Sequence, residues 1–208
     1  KTPLAVISAN AQALALEAGP SESLDYILGE VNRTNSLVQN LLELARMDAG
    51  RPKGETLTFD LSKALLQAAL PMESLAFEQG KTMKLEVSEG ISYTGNPGLL
   101  QELAVILLSN AIAYSDPGSE ITLSLRAKGT QRVLTVHNTG SWIDPETQKH
   151  IFERFYRGDT SHNREDGGTG LGLAIAKSIV ELYRGTIQVE SSQETGTAFL
   201  VTLTECFK

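Results

Sequence analysis

The chain has 208 residues, of which 41% are hydrophobic and 21% charged, a balance that excludes wholesale disorder and leaves room for one or two domains. Eighteen Lys and Arg against 25 Asp and Glu leave a net charge of −7, which argues against duplex nucleic acid and anionic membrane as partners of this chain. A single cysteine, Cys206, excludes an intrachain disulfide and reads as a small residue near a strand end.

No apolar run approaches the roughly 18 residues that span a bilayer, and no segment reads as a signal peptide. The sequence starts at Lys1 rather than Met, so it is expected to be a piece of a longer protein. In chain order, Leu4, Ile7, Ala11, Leu14 and Ala18 recur at steps of three and four, which predicts an amphipathic helix with Pro3 in its first turn. Gly19-Pro20-Ser21 turns the chain. Leu24, Leu28, Val31, Asn35, Val38, Leu42 and Ala45 then form a second seam, widened by Leu41 and Leu44. Two helices cannot bury stripes this wide alone, so a second copy and a four-helix bundle are expected. Asn35 either fixes register in that seam or sits at its edge.

Asp48 to Gly54 is rich in helix breakers and reads as a hinge. A short strand follows at Thr56 to Phe59. Asp60 is expected to cap a helix to about Gly80 that Pro71 kinks or splits. Strands are predicted at Lys84 to Val87 and Ile91 to Thr94, and an apolar helix from Pro97 to Ala113. Ile121 to Ala127 and Arg132 to His137 form a hairpin around Lys128-Gly129-Thr130. After a long polar stretch come a helix from about Leu171 to Tyr183 and a closing hairpin of Thr186 to Glu190 and Thr197 to Leu203. The fold class is α+β, with helices on one face of a sheet.

The sharpest local feature is Asp166-Gly167-Gly168-Thr169-Gly170-Leu171-Gly172-Leu173 before a helix. Bare amides at a helix N-terminus suit phosphate. The run is neither a Walker A loop nor a dinucleotide fingerprint, and taken alone it could be a flexible connector. In context it resembles the second glycine box of the GHKL ATPases, and specifically of sensor histidine kinases. Asn110-Ala111 resembles the asparagine box, and Val136-His137-Asn138-Thr139-Gly140-Ser141-Trp142-Ile143 stands where the first glycine box belongs. Phe152-Glu153-Arg154-Phe155-Tyr156-Arg157 resembles the phenylalanine box, and Gly196-Thr197-Ala198-Phe199 the third glycine box. Lys1-Thr2-Pro3-Leu4 resembles the tail of the acceptor-histidine box.

The resemblance implies a dimerisation and histidine-phosphotransfer hairpin over residues 1–50, a GHKL (Bergerat) ATP-binding sandwich over 55–208, and ATP and Mg²⁺ as cofactors. It makes Asn110 the Mg²⁺ ligand, a suitable hard oxygen donor. It places Tyr114, Asn138, Gly140, Phe152, Phe155, Arg157, Gly168, Gly170, Leu171, Gly172, Leu173 and Thr197 around the nucleotide. It implies a mobile ATP lid from about Arg157 to Gly167, holding His162 and Arg164. The acceptor histidine would lie three residues before Lys1, with an acidic residue beside it as general base. Thr2 matches a threonine that assists dephosphorylation of the partner regulator, or caps the helix at Pro3. His137, His150 and His162 match no acceptor motif. The implied partners are a second copy and a response-regulator receiver domain. The parent protein would be anchored in a bacterial membrane, with this segment cytoplasmic and not touching the membrane.

Several positions depart from the family pattern. Asn138 replaces the aspartate that accepts from the adenine amino group; its amide oxygen can still accept, without charge assistance. Trp142 replaces a glycine and packs either on nucleotide or on core. Ile106 and Ala113 replace an asparagine and a lysine that contact phosphate. At about 1 kcal/mol or more for each lost contact, ATP binding weakens about tenfold or more. Arg157 and Arg164 are either compensating phosphate contacts or solvated lid charges. The alternative function is a non-catalytic or phosphatase-biased relative that scaffolds the regulator. A chaperone-type or topoisomerase-type GHKL ATPase is a third reading.

Overall fold

The computed structural model describes residues 2–19, 21–50, 54–158 and 169–205. The expectations placed on Gly168, on most of the lid and on Cys206 fall outside them. Helices α1 (Thr2–Ala18) and α2 (Glu22–Asp48) form the predicted hairpin. The chain continues through β1 (Leu57–Asp60), α3 (Leu61–Glu78), β2 (Thr82–Val87), β3 (Ser92–Gly95), α4 (Pro97–Tyr114), β4 (Glu120–Lys128) and β5 (Gln131–Asn138). It closes with α5 (Pro145–His150), α6 (Gly172–Leu182), β6 (Thr186–Ser192) and β7 (Gly196–Thr204).

The main sheet has the order β2-β4-β5-β7-β6, with β2 parallel to β4 and the other neighbours antiparallel. β1 and β3 form a separate antiparallel pair. Period-two alternation puts Ile121, Leu123 and Leu125 of β4, Leu134 and Val136 of β5, and Phe199, Val201 and Leu203 of β7 on one buried face. α3, α4 and α6 cover that face, and α4 packs against both of the others. This is the expected α+β sandwich.

Local chemistry explains where the helices begin. Asp60 Oδ1 accepts from Lys63 N at 3.0 Å, as predicted. Asn96 Oδ1 accepts from Gly98 N and Leu99 N, with Pro97 at the first position of α4. α5 was concealed in the polar stretch because none of its residues is buried; Asp144-Pro145 is the cap-and-proline signal that marks it.

Three expectations are corrected. Of the two readings of Pro71, the split is excluded: α3 runs through it as one helix. Both Pro71 and Gln67, whose carbonyl loses its helical donor, are exposed, while Leu65, Ala68, Ala69, Met72 and Ala76 hold the other side in the core. Leu44 does not widen the bundle seam: with Met47 it joins the core of the sheet domain, where α2 lies against α6. α4 is 18 residues long with a mean hydropathy of 1.3, so by length and composition it could cross a membrane. Eight of its residues are buried, which makes it a core helix.

Candidate nucleotide site

The asparagine and second glycine boxes meet where α4 passes the start of α6. A Cβ on Gly172 would stand 3.5 Å from Ile106 Cγ2, one turn before Asn110 on α4. Asn110 is half-buried, and its carboxamide makes no hydrogen bond among the described residues. Leu171 precedes α6 and offers no capping side chain, so the first-turn amides of Gly172, Leu173 and Ala174 keep their donors for an anion. Leu171 is fully buried and Leu173 nearly so. Their side chains pack the core, and only their backbone can face a ligand.

The phenylalanine box is tied to this helix start. Phe155 N donates to Gly170 O at 2.9 Å. A Cβ on Gly170, at φ +68°, would stand 2.9 Å from both Phe155 C and Tyr156 O. Only a residue without a side chain fits that approach. Phe155 itself has φ 64° and is exposed. Phe152 lies edge-on to Phe199 of β7, with ring centroids 6.3 Å apart. Arg157 is exposed and Tyr114 is half exposed.

The first and third glycine boxes are in backbone contact. Asn138 ends β5, opposite Thr197 on β7, and both are 4% exposed. A Cβ on Gly196, at φ +77°, would stand 2.1 Å from Asn138 O. Thr197 Oγ1 lies 2.7 Å from Ser191 Oγ and donates to Ser141 O at 3.2 Å, while Ile143 N donates to Ser191 Oγ at 2.8 Å. Thr197 and Ser191 thus pin the loop that leaves Asn138. The Asn138 amide donates to Thr139 O at 3.3 Å, which leaves its oxygen as the acceptor. Gly140 presses on the turn after Tyr114: a Cβ there would stand 2.7 Å from Ser119 Oγ. Trp142 is 42% exposed, so the core reading of this side chain does not hold.

Among the described residues, no group of three His, Cys, Asp or Glu could hold a metal by itself. A hard cation here would depend on phosphate oxygens together with the Asn110 carboxamide. The open carboxamide, the uncapped helix start and the glycine approaches fit a Mg-nucleotide. Thr2 opens α1. His137 Nε2 lies 2.6 Å from Thr195 O. His150 is held above the ordinary imidazole range by its 2.7 Å hydrogen bond to Glu153, then by that carboxylate's charge, with Glu146 adding to it.

The comparisons bear on the family. Residues 95–205 match the family described as histidine kinase-, DNA gyrase B- and HSP90-like ATPase, and residues 1–50 match the His Kinase A (phospho-acceptor) domain. The chain belongs to the sensor histidine kinases. It is 34% identical over 194 residues to the sensor protein DltS of Streptococcus agalactiae, covering 93% of this chain and 49% of that one. It is 33% identical over 207 residues to the sensor-like histidine kinase SenX3 of Mycobacterium tuberculosis, covering 98% and 50%. This histidine kinase chain therefore spans about half the length of the curated relatives it matches. The fold matches that of the Acinetobacter baumannii histidine kinase AdeS, with TM-score 0.75, 19% identity, and coverage of 98% of this chain and 96% of that one. It also matches full-length ShkA in complex with AMPPNP, with TM-score 0.80, 23% identity, and coverage of 100% and 44%.

Sequence reasoning missed one contact that joins the two parts of this kinase chain. Arg154 Nη2 of the phenylalanine box donates to both carboxylate oxygens of Asp48 at the end of α2, each at 2.8 Å. The partners are 106 residues apart, and no local pattern announces them.

Proposed function

We propose that the whole protein binds Mg-ATP between α4, α6 and the ends of β5 and β7. It passes the γ-phosphoryl to a histidine of the hairpin bundle, releasing ADP, and then to an aspartate of a response-regulator receiver domain. Residues 1–50 serve as the dimerisation and phosphotransfer unit and 55–208 as the catalytic unit. The segment is cytoplasmic and its parent is anchored in the bacterial membrane. The observation that carries this reading is the convergence of the open Asn110 carboxamide with the uncapped start of α6, joined through Ile106 and Gly172.

Asn110 would hold Mg²⁺ through its amide oxygen, and the metal when bound would neutralise charge on the phosphate oxygens. The amides of Gly172, Leu173 and Ala174 orient the phosphates. The Asn138 oxygen accepts from the adenine amino group, and Thr197, Gly140 and Tyr114 shape the base end. Phe152 and Phe155 anchor the segment leading to Arg157, Gly168 and the lid. Thr2 assists dephosphorylation of the regulator.

Radiolabelled ATP tests this on the protein carrying the residues upstream of Lys1. Label is expected on a histidine, with transfer to a receiver aspartate, and Asn110→Ala is expected to lower labelling by about a hundredfold. Labelling that survives this substitution removes Asn110 from the reaction. Absence of labelling in the unsubstituted protein would favour a regulator-binding scaffold instead.

A further inference from the structure

Lys81 is buried, at 6% exposure, just ahead of β2 and outside every motif of the nucleotide site. A buried ammonium is costly unless its protons are taken up. Lys81 Nζ donates to the backbone carbonyl of Ile112 and to Gln79 Oε1 at 3.2 Å. Ile112 lies in the last turn of α4, between Asn110 and Tyr114. The helix closes with Ser115 N donating to Ala111 O at 3.2 Å, so carbonyls beyond Ala111 lack a helical donor. The ammonium fills that vacancy at Ile112, where a cation also suits the negative end of the helix dipole.

The same segment grips the turn that follows. Gly118 N donates to Gly80 O at 2.8 Å, and Thr82 N donates to Ser119 O at 3.0 Å. Gly140, from the first glycine box, presses on that Ser119. Residues 79–82 therefore hold both the end of α4 and the turn that backs the base end of the pocket.

We propose that Lys81 is a positioning residue for the metal-phosphate end of the site: it clamps the final turn of α4 so that Asn110 keeps its place. The inference rests on the reading of Asn110 given above. Without the clamp the turn from Asn110 to Tyr114 frays, and the carboxamide spends less time aimed at the phosphates.

The test is calorimetric titration of ATP with and without Mg²⁺. The readout is the ratio of the two affinities, which a purely structural role would leave unchanged. Lys81→Met is expected to lower that ratio about fivefold while Mg-free ATP affinity moves less than about twofold. Gln79→Ala removes an acceptor at an exposed position, keeps the fold, and is expected to lower the ratio about twofold. A Lys81→Met protein with a lower melting temperature and an unchanged ratio overturns the proposal. If that protein does not fold, an unchanged ratio in Gln79→Ala overturns it. Asn110→Ala separates the two readings: loss of the metal increment there with none in Lys81→Met sinks the clamp alone, while an unchanged ratio in Asn110→Ala sinks the site and the clamp together.

Discussion

The hairpin and the sheet domain satisfy their apolar residues in opposite ways. In the sheet domain, α4 alone buries Leu99, Leu100, Leu103, Leu107 and Leu108, all at 4% exposure or less. In the hairpin, Ala11, Leu44 and Met47 are the buried hydrophobics among the described residues, and the last two belong to the other domain's core. Ile7, Leu14, Ile27 and Leu42 are between 42% and 52% exposed. Leu4, Ile7, Tyr26, Ile27 and Val31 line an open groove between α1 and α2. One region is a finished core; the other leaves its apolar stripe open. This supports a second copy as the hairpin's missing half.

Substitutions can break that contrast. The largest effect is expected for Leu107→Ala, at the centre of α4 with no exposure. It should cost about 2–5 kcal/mol, read by thermal or urea unfolding of the sheet domain. Leu16→Ala, at 88% exposure on α1, should stay within about 0.5 kcal/mol. Comparable losses at the two sites would erase the distinction. Next in size, Ile27→Glu places a charge in the groove and should weaken self-association about thirtyfold in sedimentation, with ATP affinity unchanged. Unchanged association would mean that the groove is not the dimer seam.

The smallest effect concerns pH at the join between α5 and the phenylalanine box. His150 has a raised pKa when folded, so its stabilising contribution is fully present below the ordinary imidazole value and is lost as pH rises through the folded one. Amide protection around Glu153, taken relative to the intrinsic exchange rate at each pH, should be slightly higher at about pH 6 than at about pH 8. His150→Gln should remove the difference.

Much of the fold was legible because its signals are local. Alternation marked β4 and β5, and Asp60 announced the start of α3. The glycine boxes were legible for a related reason: Gly140, Gly170 and Gly196 occupy positive φ at close approaches, a demand that few residue types meet. What stayed hidden depends on tertiary neighbours. Leu44 sits in the spacing of the bundle seam yet turns to α6. Lys81 carries no local mark of burial; its partner Ile112 is 31 residues away. Trp142 read as packing on nucleotide or on core, and its 42% exposure is set by neighbours that no local pattern gives. The link between Asp48 and Arg154 joins two half-exposed side chains far apart in the chain. Exposed pairs of this kind contribute little stability.

The proposed function requires the asparagine and glycine boxes to enclose one Mg-nucleotide. Amide hydrogen exchange with and without Mg-ATP tests it most directly. Slowed exchange is expected together at Gly172, Leu173 and Ala174, at the end of α4, and at Asn138 to Gly140. Saturating Mg-ATP that leaves all three segments unprotected, or protects a surface elsewhere, would contradict it.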